Sequence, residues 1–170
     1  TSPDWLLLLS SVPQSVWSTL LEEVRGTIWR CCLSDPQYYG RLFLLSPLET
    51  EFVQRAASSL HSKLSGAAAK LRGTCMWAMG NMVSSERCPQ DVLESCVPSV
   101  VLALQASGQP DKVVFSALRA ASFMFTRLTR EQLAQSGGWD VFWSASIAYL
   151  SDKHKPKVRW NAANALEAAV

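Results

Sequence analysis

Histidine and cysteine are the side chains of this sequence best suited to metal binding or nucleophilic chemistry, and they are few and scattered. A structural zinc site needs about four such ligands brought together. The two histidines, His61 and His154, lie far apart in the chain, and no Cys-x-x-Cys pair is present. Cys31 and Cys32 are adjacent, so on a helix their side chains point about 100° apart. The pattern predicts no metal site, no cofactor, and histidines on a solvated surface.

The cysteines favour a reducing compartment, because their number is odd and their spacing is irregular. No Asn-x-Ser/Thr glycosylation sequon is present either. Cys75 falls among small apolar residues and is expected in the core. None of the five has an activating neighbour in the sequence. We therefore expect an intracellular protein, cytoplasmic or nuclear, without disulfides. The cysteines are Cys31, Cys32, Cys75, Cys88 and Cys96.

The sequence has no phosphate-binding G-x-x-x-x-G-K-[ST] motif, no dinucleotide-binding G-x-G-x-x-G motif and no catalytic-zinc H-E-x-x-H motif. It also has no G-x-S-x-G motif, the turn that carries the nucleophilic serine of many hydrolases. The sequence thus predicts no enzyme and no small-molecule substrate. The chain starts with Thr1 and ends within a helical pattern, so we expect a fragment of a longer protein, and an active site elsewhere in that protein is a third interpretation. The apolar run Trp5–Leu9 follows no basic residues and is too short to span a bilayer, so no membrane association is predicted.

Charge gives a weak signal, since the formal net charge is only +2. One local basic cluster could contact phosphate or an acidic partner. The alternative is a solvated loop and first helical turn, and the small net charge favours it. The cluster consists of Lys153, Lys155, Lys157 and Arg159.

Helix-length apolar patterns separated by Pro, Gly and Ser fill the chain, and 48% of its residues are hydrophobic. No segment shows the alternation of a strand. Asp35–Ser46 is the least regular stretch and is interpreted as an inter-repeat loop, although Leu42–Leu45 could pack inward. Helices are predicted over 13–33, 47–63, 66–83, 89–106, 110–127, 129–135, 139–150 and 156–170, with a short turn over 4–10.

Helix starts carry recognisable signals. Ser46 with Glu49, and Thr129 with Gln132, have the spacing of a capping box, in which each residue satisfies a backbone N–H of the other. Prolines stand where three other apolar patterns begin, and proline is tolerated in a first turn because its missing N–H would have no helical acceptor. They are Pro89, Pro110 and Pro156.

An internal repeat is the most informative feature. Three segments begin with Lys70, Lys112 and Lys157, about 42 and 45 residues apart. Each continues with apolar residues that share one helical face. Small residues occupy that face at matching positions, which allows neighbouring helices to approach closely. A fainter echo at Val24–Thr27 suggests an earlier repeat that ends near Leu33. The small column consists of Cys75, Ala78, Ala117, Ala120, Ala162 and Ala165.

The segment Lys157–Leu166 (KVRWNAANAL) resembles the second helix of a HEAT repeat, and the resemblance to HEAT/armadillo repeats extends from about Leu48 onward. It departs from the pattern at Val114, where the family typically has arginine. The resemblance implies an all-α fold, a right-handed α-solenoid of antiparallel helix pairs. We expect a single domain, 1–170, with pairs at about 1–34, 47–83, 89–127 and 129–170.

The resemblance also implies that second helices line the concave surface. We predict that the polar column beside the apolar face contributes to a partner-binding groove. The alternative is a merely solvated face, with Trp77 packed on a neighbouring helix. The expected function is a protein–protein interaction scaffold that binds an extended peptide or a helix. A nucleic-acid-binding repeat or subunit of an RNA–protein assembly is the alternative. The candidate residues are Thr74, Trp77, Asn81, Arg119, Asn161 and Asn164.

Overall fold

The computed structural model describes residues 13–20, 22–33, 35–45, 50–66 and 68–170, and every regular element in those ranges is an α-helix. The all-α class predicted from the sequence is therefore confirmed for this part of the chain. None of these helices has the length and apolar character that a bilayer crossing needs. The helices are α1 (Gln14–Thr19), α2 (Glu22–Cys32), α3 (Pro36–Leu45), α4 (Thr50–Gly66), α5 (Ala69–Ser84), α6 (Gln90–Gln105), α7 (Asp111–Arg127), α8 (Arg130–Gln135), α9 (Gly138–Tyr149) and α10 (Pro156–Ala168).

The helices from α3 onward lie in two layers. In the first layer, which we call the row, α3 packs on α5, α5 on α7 and α7 on α10. In the second, which we call the outer layer, α4 packs on α6 and α6 on α9. Contacts between the layers join α4 to α5, α6 to α7 and α9 to α10. Each row helix after α3 is thus paired with the outer-layer helix that comes before it in the sequence: α5 with α4, α7 with α6 and α10 with α9. The short α8 is assigned to neither layer.

A narrow edge of small residues is buried in each of the three repeated row helices. Small side chains let helix backbones approach closely, so the row helices can pack without large gaps. The larger apolar residues on the same face are accessible only near the helix ends, where Leu71 is 38% exposed and Leu166 is half-buried. The repeat correctly predicts which side of these helices faces the core. The fully buried residues are Cys75, Ala78, Ala117, Ala120, Ala162 and Ala165.

The predicted helix starts are found where the structure describes them. Thr129 Oγ1 accepts a hydrogen bond from the Gln132 N–H at 3.2 Å, and Gln132 Oε1 accepts one from the Thr129 N–H at 2.8 Å. This capping box is confirmed. Pro89 and Pro110 directly precede the first residues of α6 and α7, and Pro156 is the first residue of α10. The capping box predicted over 46–49 and the turn predicted over 4–10 lie outside the described residues.

The loop predicted over 35–46 is wrong, because this segment forms α3. Asp35 caps the helix: its carboxylate Oδ1 accepts a hydrogen bond from the Gln37 N–H at 2.8 Å. Pro36, the first helical residue, has no N–H to leave unsatisfied. Leu42 and Tyr39 of this helix are buried, so α3 is part of the core. Asp35 and Pro36 therefore mark a helix start and not a loop.

The first predicted helix, over 13–33, is also corrected. It is divided into α1 and α2, and the Arg25 guanidinium donates to the Leu20 carbonyl at the break. The echo at Val24–Thr27 lies in α2, whereas the row helix next to α5 is α3. The pair predicted over 1–34 lies partly outside the described residues, so its place in the repeat remains a prediction.

Tryptophans divide into core and surface positions. Trp29 is fully buried and packs on Phe52 and Phe43, with ring centroids 5.5 and 5.4 Å apart. Trp139 packs edge-on against Phe125. These aromatic contacts join α2 to α3 and α4, and α7 to α9, as expected of residues that dominate core burial. Three others are more accessible: Trp77 is half-buried, Trp143 is 38% exposed and Trp160 is 64% exposed.

Candidate partner-binding surface

A hydrogen-bond relay crosses three helices of the row and uses two of the predicted contact residues. Arg119 on α7 donates from Nη1 to Asn81 Oδ1 at 2.7 Å. Asn81 on α5 donates from Nδ2 to the carbonyl of Gly40 on α3 at 3.0 Å. Asn81 is only 1% exposed, and burial lowers the pKa of Arg119 without bringing its guanidinium near neutrality. Asn81 is therefore enclosed within the row, and the half-buried Arg119 is held against it by this hydrogen bond.

The relay should be measurable as energetic coupling. We expect Asn81→Ala and Arg119→Ala each to lower the free energy of unfolding by about 1–3 kcal/mol, because each leaves a buried polar partner unsatisfied. The double variant should lose less than the sum, by about 1 kcal/mol, in urea unfolding. Asn164→Ala, at a half-buried row position, is the matched control and should change stability by less than about 0.5 kcal/mol. If the two losses of stability simply add, the hydrogen bond between Arg119 and Asn81 contributes nothing to the free energy of unfolding.

The remaining predicted contact residues differ in accessibility. Asn161 is 3% exposed and donates from Nδ2 to the Lys157 carbonyl within its own helix at 2.8 Å. Thr74, Trp77 and Asn164 are half-buried and keep part of their side chains in solvent. The polar column is thus partly structural, and its accessible part is concentrated near Thr74 and Trp77.

A depression of about 650 Å³ surrounds these two residues. It extends from α3 across residues 69–77 of α5 to the start of α7. Three of its lining side chains are cationic and none carries a carboxylate. Sequence reasoning placed Thr74 and Trp77 on a binding surface but missed the cations around them. The lining residues are Gln37, Arg41, Ala69, Lys70, Gly73, Thr74, Trp77, Pro110 and Lys112.

The geometry of the depression depends on two glycines. A Cβ on Gly73 would lie 3.2–3.4 Å from the side-chain carbons of Lys112, so glycine leaves room for the lysine stem to cross α5. Lys112 Nζ then lies 3.4 Å from Thr74 Oγ1 and 6.0 Å from the Trp77 ring centroid. A Cβ on Gly40 would lie 2.8 Å from Trp77 Cζ3, so the indole lies directly against α3. The result is an aromatic surface bordered by positive charge.

Two members of the predicted basic cluster form ion pairs. Lys155 pairs with Asp111, which joins the start of α10 to the start of α7. Arg159 pairs with Asp152 in the preceding loop. Both pairs are largely exposed and contribute little stability, but they reduce the local positive potential. This arrangement leaves the cluster less available to phosphate than the sequence suggests.

The other two members of the cluster point to different surroundings. Lys157 Nζ lies 4.1 Å from the centroid of the Phe115 ring, a cation–π contact between adjacent row helices. Lys153 borders a second depression, of about 610 Å³, lined mainly by α6 and α9. His154 borders it too, with its ring centroid 4.8 Å from that of Tyr149. The cluster therefore does not form one continuous basic patch.

The cysteines are free thiols, and only Cys31 is exposed. Burial raises the pKa of Cys32 and Cys96 to about 12 and that of Cys88 to about 11. Burial likewise raises the pKa of Cys75. These four thiols are protonated at neutral pH, so they are poor nucleophiles and poor metal ligands. Across the described ranges, no three His, Cys, Asp or Glu side chains converge as metal ligands would.

His61 is half-buried, which corrects the solvated position predicted for it. Its Nδ1 lies 2.7 Å from Ser99 Oγ, so the pair joins α4 to α6. Burial lowers the pKa of His61, which keeps the imidazole neutral. A catalytic histidine is usually oriented by a third group, but the other ring nitrogen, Nε2, is buried and has no hydrogen-bond partner in the described part of the chain. The pair serves as an inter-helix hydrogen bond.

No protein-family model, no curated protein and no solved structure matches this chain. What the surface can bind is therefore argued from its own residues.

Proposed function

We propose that this chain is a protein–protein interaction scaffold built as a right-handed α-solenoid of HEAT/armadillo-type helix pairs. The order of contacts along the row and the outer layer supports this architecture, since successive pairs pack mainly on their neighbours. The small buried edge that recurs in α5, α7 and α10 supports it as well. In such a stack each pair covers the apolar face of the next, and the exposed faces of the row helices form one extended surface.

The single observation that carries the function is the depression across α3, α5 and α7, because it contains Thr74 and Trp77, two of the accessible residues of the predicted groove. A partner would bind there by shape, as an extended peptide or a helix laid across several row helices. The protonated thiols and the packing role of His61 support binding without catalysis. We further propose that the protein acts inside the cell, in the cytoplasm or nucleus.

Binding of nucleic acid is the alternative, and the cationic lining of the depression is the observation that favours it. Nucleic-acid sites, however, normally present a basic stripe that follows the phosphate backbone. Lys155 and Arg159 are paired with carboxylates, so the positive surface does not continue along the row to α10. A protein partner therefore accounts better for this surface.

Added bulk on the row tests the scaffold. Partners captured by both the full-length protein and this chain are first identified by mass spectrometry. The row variant, Thr74→Tyr with Asn164→Tyr, should lose them, because the new side chains obstruct the surface. The matched outer-layer variant, Gln54→Tyr with Ser144→Tyr, changes exposed positions on α4 and α9 and should retain them.

Both variants must first give the circular dichroism spectrum and melting curve of the unchanged chain. Retention of every partner by a folded row variant would refute binding through the row. If only the outer-layer variant loses partners, the binding surface lies on the outer layer and not on the row.

A further inference from the structure

Three cations, each from a different helix of the row, converge on the depression. Arg41 comes from α3, Lys70 from α5 and Lys112 from α7. Lys112 is partly engaged by Thr74 and by the Trp77 ring. Within the described ranges, the side chains of Arg41 and Lys70 make no hydrogen bond and no ion pair. The depression thus presents positive charge that the rest of the described chain leaves uncompensated.

Several other cations of the row have partners within the protein. Arg119 donates to the neutral amide of Asn81, and Lys155 pairs with Asp111, the first residue of α7. Because that carboxylate is engaged by Lys155, which directly precedes α10, it does little to offset the charge around the depression. Arg41, Lys70 and Lys112 thus bring together, where α3, α5 and α7 meet, three cations that form no ion pair with the described residues.

The backbone adds to this potential. α5 starts at Ala69 after Ala68, and α7 starts at Asp111 after Pro110, and neither preceding residue makes a side-chain cap. The first N–H groups of a helix have no intrahelical acceptor and carry a partial positive charge. Both helix starts border the depression, so they reinforce the three side-chain cations and favour an anionic occupant.

Trp77 supplies an apolar contact among these charges. Its ring packs against α3 at Gly40, and the half-buried indole borders the depression. A free inorganic anion would make no use of an aromatic surface. A peptide can combine carboxylates with an apolar side chain, which matches both features of the lining.

We propose that this depression binds an acidic, extended segment of a protein partner, with carboxylates facing Arg41, Lys70 and Lys112 and an apolar side chain on Trp77. This inference rests on the proposed scaffold function and specifies its partner. Packed helix axes lie about 8–10 Å apart, and an extended chain advances about 3.3–3.6 Å per residue. A segment that crosses the row would therefore present acidic residues about three positions apart, with apolar residues between them.

Fluorescence anisotropy with a defined probe tests the proposal on the whole chain. The probe is a short fluorescein-labelled peptide with Glu at every third position and Leu between. A second peptide has Gln in place of each Glu, and a labelled oligothymidine represents single-stranded nucleic acid. The test variant is Arg41→Glu with Lys70→Glu. The matched control, Arg87→Glu with Lys153→Glu, makes the same change of charge at exposed positions outside the depression.

The acidic peptide should bind at low salt and lose affinity as salt rises, because the contacts are electrostatic. The test variant should weaken binding about tenfold or more, and the control should change it less than about twofold. If the double variant melts early, Lys70→Glu alone provides the test, because this side chain is exposed.

Three outcomes would overturn the proposal: equal affinity for the Gln peptide, no effect of the Arg41 and Lys70 changes, or tighter binding of oligothymidine than of the acidic peptide. None of these three outcomes decides whether the chain is a scaffold, which is tested by partner capture with the row variant. If bulk on the row still abolishes partner capture, only the acidic segment is wrong. If that capture is also unaffected, the scaffold function is refuted too.

Discussion

Replacing Gly40 by alanine is expected to lower the free energy of unfolding by about 1–3 kcal/mol. The new Cβ would lie 2.8 Å from Ala78 Cβ, 2.8 Å from Trp77 Cζ3 and 3.1 Å from Ala78 Cα. Ala78 has no flexible end that could move aside, and one of its short contacts is with backbone. α3 and α5 would therefore have to separate, which weakens the hydrogen bond from Asn81 to the Gly40 carbonyl.

Gly80 provides a control of opposite expected sign. It is also a buried glycine within a row helix, but a Cβ there would meet only the Ser116 carbonyl, at 3.5 Å. Alanine is the better helix former, so Gly80→Ala should raise stability by up to about 1 kcal/mol. Guanidinium unfolding of both variants measures the difference. Equal effects from the two substitutions would mean that the closeness of α3 and α5 contributes nothing specific to stability.

The same glycine explains why the sequence of α3 resembles a loop. Asp-Pro and Gly within a short segment are typical of loops, because each is a poor residue for the interior of a helix. Here Asp35 and Pro36 stand at the helix start, where both are favourable, and Gly40 is required by contact with Ala78. That requirement comes from a residue 38 positions away, so no local pattern could reveal it. The small edge of α5, α7 and α10, by contrast, is a property of single helices and could be predicted from their periodicity.

The candidate surface was only partly predictable for a related reason. A helical period places Thr74, Trp77 and Asn81 on one side of α5, but it does not say which of them a neighbouring helix covers. Asn81 is covered because α3 and α7 supply a carbonyl and a guanidinium on either side of it. Lys70 and Lys112 were visible as the first residues of two repeats. Their convergence with Arg41 depends on α3 being the next helix in the row, which the loop-like composition of 35–46 does not indicate.

Replacing Arg127 by alanine is expected to lower the free energy of unfolding by about 2–4 kcal/mol, a large effect for a side chain that is only partly buried. Arg127 is near the end of α7, and its Nη1 donates to the carbonyls of Val83 at 3.1 Å and Ser85 at 2.6 Å. Its Nη2 donates to the carbonyls of Cys88 at 2.7 Å and Glu86 at 3.5 Å. One guanidinium thus donates to four carbonyls at the end of α5 and in the connection to α6, among them that of Ser85, which also accepts from the Cys88 N–H.

Shape as well as charge matters at this position. Arg127→Lys retains the charge but replaces a planar fork by a single ammonium, so it should recover less than half of the loss. Arg130→Ala is the matched control: that residue is exposed, its guanidinium carbon lies 4.9 Å from the Trp139 ring centroid, and its loss should cost at most about 1 kcal/mol. Urea unfolding of the three variants gives the comparison. Full rescue by lysine would mean that Arg127 acts through charge alone, and an alanine effect no larger than that at Arg130 would mean that the turn between α5 and α6 holds its shape without it.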